Sequence, residues 1–276
     1  MHLKERTLPT ETTDLDAICY RRNFVSFVVA RADFAEEQEA LGKPLPEPIR
    51  AEINKRFEIS EPRSIQATTV KVQPSTGEMK SEKSETQVHW HFRSKDGFRR
   101  AAISPEFVTV EYTAFDRFET LNSDFRLMVS CLERAGVDPL VRRLGLRYVN
   151  TIELPFREAT KPDALDWEGL IDQRLLAGLS FTPEEDRWAT ARYFSNSCLS
   201  FQDAQLTLNY GIFNDDYPQP ARKRQFILDI DASSSKDLTP ANLLLRLEKN
   251  HRLIQSYFER AIGPQLRALM EPTQNG

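Results

Sequence analysis

Asn23 to Ala30 is rich in β-branched and aromatic residues, and it predicts a strand buried on both faces. Behind the proline-rich entry Pro44 to Pro48, Ile49, Ile53 and Phe57 recur every four residues, the spacing of one helical face. Ser64 to Gln73 and Thr86 to Arg93 then predict a pair of strands around a polar loop carrying Pro74 and Gly77. A turn at Lys95, Asp96 and Gly97 and the break at Ser104 and Pro105 mark off two more strands, Phe98 to Ile103 and Phe107 to Tyr112. From Asp116 the period changes to three and four: Phe118, Leu121, Phe125, Met128, Val129 and Leu132 predict an amphipathic helix stopped by Gly136.

The pattern then starts again. A strand is expected from Leu144 to Leu154, ended by Pro155, and a helix from Leu165 to Leu179 with Trp167, Leu170, Ile171 and Leu175 facing inward. Strands follow at Trp188 to Ser195, Cys198 to Phe201, Gln205 to Phe213 and Gln225 to Asp231. A long helix begins near Pro240 with Thr239 as its N-cap and buries Leu243, Leu247, His251, Ile254, Phe258 and Ile262. The class is therefore α+β, read as two tandem β-α-β-β-β-α halves with mainly antiparallel sheets and packed helices, a pseudo-twofold duplication. The expected divisions are a polar leader at 1–20, a first half at 21–138, a second half at 139–271 and a tail at 272–276. Element order carries the duplication, because residue-level echoes are faint: Arg21-Arg22 against Arg142-Arg143, and Glu133-Arg134-Ala135 against Glu259-Arg260-Ala261.

With 40% hydrophobic and 28% charged residues, the composition is that of an ordinary globular protein, and a net charge of -4 gives no global attraction to nucleic acid or anionic lipid. Any polyanion site has to be local. Arg far outnumbers Lys, which suits bidentate recognition of phosphate or carboxylate, although codon bias raises Arg everywhere and only clustering would point to a site. Cys19, Cys131 and Cys198 fit neither a disulfide framework nor a zinc pattern. The opening residues lack the apolar core of a signal peptide and no stretch is apolar enough to cross a bilayer, so a cytoplasmic location without membrane association is expected.

Candidate chemistry is sparse. Neither a nucleophile elbow nor a phosphate-binding glycine pattern is present, so no catalytic residue and no cofactor is implied. His89 and His91 flank Trp90 and would share one face of a strand, as a metal-binding pair can, yet no third ligand is indicated; a solvent- or groove-facing pair is the plainer reading. Asp229 and Asp231 likewise share a face, with Glu111 and Asp33 as the only obvious acidic companions; the alternative is a solvated strand end. His251 falls on the apolar side of the last helix, where a hydrogen-bonded core histidine is the default. If the first strands of the halves meet around a pseudo-twofold axis, Arg21, Arg22, Arg142, Arg143 and Arg147 converge on a phosphate or an acidic loop, with Tyr148 and Asn150 as inner polar residues of that groove. The competing reading pairs each arginine with a neighbouring carboxylate.

Three segments carry a family resemblance: Tyr20-Arg21-Arg22-Asn23, Ile103 to Tyr112, and Leu144 to Ile152, the last being the most specific. Together with Leu228 to Asp231 and the final helix, they resemble a sporadically distributed prokaryotic family of about this length. The resemblance implies no established activity and no catalytic residues; its sporadic distribution implies a mobile-element or defence context. The leading expectation is a non-enzymatic binding protein acting with protein partners of its operon. The alternatives are a sensor of a phosphate-containing ligand or nucleic acid using the arginines, and third, a metal-dependent hydrolase or nuclease on Asp229 and Asp231. Oligomeric state stays open.

Overall fold

The computed structural model describes residues 18–72, 79–157, 163–236 and 238–274, and the side chains of 67–85 are not described. Of the loop expected between Gln73 and Thr86, residues 73–78 lie outside the described residues and 79–85 are strand instead, Met79 pairing with Val72. The fold is α+β with antiparallel pairing, as the alternation of strand and helix periods predicts. The chain forms two compact units. The first comprises Val29–Leu144 with Ser235–Leu244; the second comprises the described parts of Met1–Val28, Gly145–Ser234 and Leu245–Gly276.

In the first unit the strands are β2 (Val25–Phe34, from Val29 on), β3 (Ile59–Val72), β4 (Met79–Arg93), β5 (Arg99–Ile103) and β6 (Phe107–Tyr112), in the order β3-β4-β5-β6-β2. Its helices are α1 (Glu47–Asn54) and α2 (Phe118–Arg134). The expected periodicities form as read. Ile49, Ile53 and Phe57 are buried, and α2 buries Leu121, Phe125, Met128, Val129 and Leu132. The N–H of Val137 returns to the carbonyl of Leu132 at 2.9 Å, and Gly136 takes φ 70°, a left-handed stop that a Cβ would strain. Burial alternates along β6: Val108, Val110 and Tyr112 face the core, whereas Phe107 and Glu111 are only half-buried.

Asp124 is the polar anchor of this core. It is 1% exposed, accepts from Tyr112 Oη at 2.5 Å and from Arg56 at 2.8 Å, and pairs with Arg99 at 3.3 Å. Burial, with Asp124 next to it, drives the Tyr112 hydroxyl far above the usual tyrosine range.

The second unit holds β1 (Ile18–Tyr20), β7 (Val141–Glu153, from Gly145 on), β8 (Tyr193–Ser200), β9 (Gln205–Ile212), β10 (Gln225–Ser234) and β11 (Pro272–Gln274), with α3 (Gln173–Leu176), α4 (Leu243–Ala261, from Leu245 on) and α5 (Pro264–Leu269). Its larger sheet runs β7-β10-β9-β8, and β1 pairs β11 in a separate ribbon. Tyr20, Glu259 and Arg267 tie that ribbon to the last helices: Tyr20 Oη donates to Glu259 at 2.7 Å, and Arg267 pairs with the same carboxylate.

Two expectations need correction here. The helix at Leu165–Leu179 is reduced to the single turn of α3. Gly169 adopts φ 74°, the carbonyls of Gly169 and Leu170 accept from Gln265 and Gly263, and Asp172 N–H donates to Ala261, so the backbone groups a helix would use are taken by the α4–α5 connection. Trp167, Leu170 and Ile171 are buried all the same, whereas Leu175 is only partly so. Arg224, 5% exposed, pins this irregular stretch through the carbonyls of Pro155 and Asp166. The two strands expected at Trp188–Ser195 and Cys198–Phe201 are one strand, β8, preceded by a 3-10 segment at Glu184–Ala189. Neither β1, α5 nor β11 was foreseen.

Asp124→Ala should lower unfolding free energy by about 2–4 kcal/mol, because Tyr112 loses its acceptor and two guanidinium groups lose a buried counter-charge. Chemical denaturation checks this, with Arg56→Ala expected to cost less because Arg56 is 43% exposed.

Candidate anion site on an uncovered sheet face

The face of the first unit's sheet opposite α2 carries polar side chains in cross-strand rows. Register places Glu61 beside His91 and Arg63 beside His89 on β3 and β4, His91 beside Ala102 and Arg93 beside Arg100 on β4 and β5, and Arg100 beside Glu111 on β5 and β6. Alternation sends the intervening Trp90, Phe92, Ala101 and Val110 into the core. The result is a basin of about 410 Å³ lined by Arg31, Arg63, Arg93 and Arg100, with Glu61, Glu111 and His91 among the other walls. Four guanidinium groups against Glu61, Glu111 and the Asp33 that pairs Arg31 leave one positive charge.

These arginines differ in freedom. Arg93 Nε donates to Glu61 at 3.0 Å, and Arg63 lies 3.8 Å from the same carboxylate. Arg31 donates to Asp33 at 2.7 Å and stacks 3.8 Å over the Phe107 ring. Arg100 makes no ion pair among the described residues. His91 is held below the ordinary histidine range, first by burial and then by Arg63 and His89, so it is neutral at pH 7 and gains affinity for a proton when an anion arrives.

His89 and His91 do share a face, opposite Trp90, but Arg63 lies beside His89, the Glu61 beside His91 is taken by Arg93, and His89 packs edge-on to Phe107. Among the described residues no group of three His, Cys, Asp or Glu side chains is placed to hold a metal. Of the acidic companions considered for Asp229, Asp33 serves Arg31 and sits 3.6 Å from Arg143, and Glu111 lines the basin.

Of the arginines expected to act together, Arg142 and Arg143 belong to the first unit and Arg21, Arg22 and Arg147 to the second. The backbone N–H groups of Arg21 and Arg22 donate to Glu271 and Met270, and both side chains are exposed. Arg147 makes a two-pronged pair with Asp229, at 2.7 and 2.8 Å, and Asn209 donates to the same carboxylate at 3.2 Å. That pairing raises the already high Arg147 pKa and occupies the carboxylate proposed for a metal. Asp231 lies opposite Thr207 two residues along the strand.

Tyr148 and Asn150 point the other way from Arg147, into the core. Asn150 Nδ2 donates to the Leu228 carbonyl at 3.1 Å and Tyr148 Oη meets His251 Nδ1 at 3.3 Å. His251 is thus a half-buried histidine hydrogen-bonded at the edge of the core.

The basin arginines escaped the linear reading because they lie on four strands. Their common signal is parity: His89, His91 and Arg93 alternate along β4, but only register brings Arg31, Arg63 and Arg100 to them. No protein-family model matches the chain, and no curated protein matches it.

Burial, then neighbouring Arg252, pushes His251 down to about 4 from 6.5. The unfolded chain binds this proton near 6.5 and the native protein only near 4, so the contribution is complete above pH 6.5 and is lost as pH falls toward 4. Between those limits wild-type stability should fall by on the order of 2 kcal/mol more than that of His251→Gln, read from denaturant melts at stepped pH.

Proposed function

We propose that this chain is a binding protein whose basin on the uncovered face of the first unit takes an anionic ligand bearing phosphate or carboxylate groups. The observation that carries this reading is the convergence of Arg31, Arg63, Arg93 and Arg100 on one concavity, with the Arg100 guanidinium unpaired among the described residues. An excess of positive charge in a concave, partly desolvated site costs stability unless a counter-charge enters it, and guanidinium forks match the oxygens of phosphate and carboxylate. The volume is in the range of small-ligand sites. Of the earlier readings this is the phosphate-ligand sensor, built on different arginines from those singled out along the chain.

The protein-partner reading keeps support of its own from the second unit, where Phe181 is 91% and Trp188 76% exposed and Arg192 lies over the rings of Phe213 and Tyr217. The metal-hydrolase reading draws no support from Asp229, whose carboxylate already serves Arg147 and Asn209.

Calorimetric titration with pyrophosphate as probe tests the basin. Binding should weaken steadily as salt rises, and Arg100→Ala should weaken it about tenfold, the equivalent of one charge-assisted hydrogen bond. Arg147→Ala should leave it unchanged, and the His91 imidazole should titrate at higher pH in the complex, seen by proton NMR. Binding that ignores Arg100, or that is lost with Arg147 instead, would place the ligand elsewhere and end this proposal.

A further inference from the structure

Among the described residues, strand β8 is the last strand of the second unit's sheet and pairs only with β9. The two are joined through Gln202 and Asp203, and Phe201 N–H donates to the Ala204 carbonyl at 2.8 Å, which makes Phe201 and Ala204 a hydrogen-bonded pair. In an antiparallel ladder such pairs alternate. Counting back along the register, Leu199, Ser197, Ser195 and Tyr193 turn their backbone groups toward β9, and Ser200, Cys198, Asn196 and Phe194 turn theirs outward. The same four outward residues are exposed, Phe194 at 51%. Among the described residues nothing occupies their backbone N–H and carbonyl groups.

An open edge is normally blunted by charge or proline. The edge strand β3 of the first unit has both, with Glu61, Pro62 and Arg63. β8, Tyr-Phe-Ser-Asn-Ser-Cys-Leu-Ser, has neither, in a chain whose residues are 28% charged. That lack of charge matters for the choice of partner. In a twofold-symmetric antiparallel pair each residue near the axis faces itself or a near neighbour from the other copy, so any charge there would meet its own kind. A neutral edge is therefore self-complementary.

We propose that β8 pairs with β8 of a second copy of this chain across a twofold axis. Outward groups must face outward groups, so only registers that match even-numbered residues are allowed, and all four are used when the axis passes through Ser197. Asn196 then opposes Cys198 of the other copy, and Phe194 opposes Ser200, each pair exchanging two backbone hydrogen bonds. The pairing joins two polar sheet faces edge to edge, and it stands independently of the anion reading.

Sedimentation equilibrium over a range of concentrations should give a monomer–dimer equilibrium. Asn196→Pro removes an outward N–H, which an edge strand tolerates, and should weaken the dimer at least tenfold while leaving the thermal melt of the monomer in place. In a Cys19→Ser background, Asn196→Cys should cross-link spontaneously to Cys198 of the other copy, because hydrogen-bonded pairs hold their Cα atoms about 5.5 Å apart, within disulfide reach. Adding Cys198→Ser should abolish the mixed cross-link. A strictly monomeric protein at millimolar concentration overturns the proposal; so does a dimer that survives Asn196→Pro and yields no Asn196–Cys198 link. Should Asn196→Pro fail to fold, the cross-linking result decides alone.

Discussion

Among the described residues, the sheet of each unit buries one face under helices and leaves the other open, and the remaining features follow from that asymmetry. In the first unit Val108, Val110, Tyr112, Trp90 and Phe92 turn to the helix side, and in the second Phe226, Leu228, Ile230 and Ala232 do the same. Burying a large apolar side chain contributes about 1.5–3 kcal/mol, and a one-residue slip of any strand would send its apolar set into water. Register is therefore tightly held. Because it is held, the polar side chains on the opposite parity are held too, and cross-strand rows such as Glu61, His91 and Ala102 are a by-product of core packing.

Three buried polar side chains are placed where the elements meet and are paired there. Asp124 joins α2 to the tyrosine of β6 and to two arginines, Arg224 fastens an irregular segment by its carbonyls, and Asn150 bridges β7 and β10. An unpaired group at any of these points would carry its desolvation cost uncompensated, so they select one arrangement of elements over near alternatives. The basin differs in kind: Arg31 and Arg93 are paired, Arg63 is only loosely so, Arg100 makes no ion pair among the described residues, and none of the four closes the core. That contrast between used and spare guanidinium groups is the physical basis for assigning the basin to a ligand.

Where a charge is spent decides what it can do. Arg147 and Asp229, singled out along the chain for phosphate and metal respectively, neutralise each other on the open face of the second unit. Their pairing explains both at once without a ligand. Arg143, 3.6 Å from Asp33, makes the same point more loosely.

Periodicity along the chain is enough to locate the strands of the first unit apart from the starts of β3 and β4, helices α1, α2 and α4, the Gly136 stop, the mixed α+β class and the inward side of most elements, because each depends on neighbours three, four or two residues away. It fails where backbone groups find partners far along the chain. Residues 165–179 have a helix-like apolar spacing, yet Gly169, Leu170 and Asp172 bond to residues from 261 to 265 and the helix does not form. The candidate site divides in the same way. That His89 and His91 share a face follows from alternation alone. That Arg31, Arg63 and Arg100 stand beside them, and that Arg147 stands beside Asp229 while Tyr148 turns away to His251, depends on strand order and register, and those are settled by long-range pairing that no local pattern encodes.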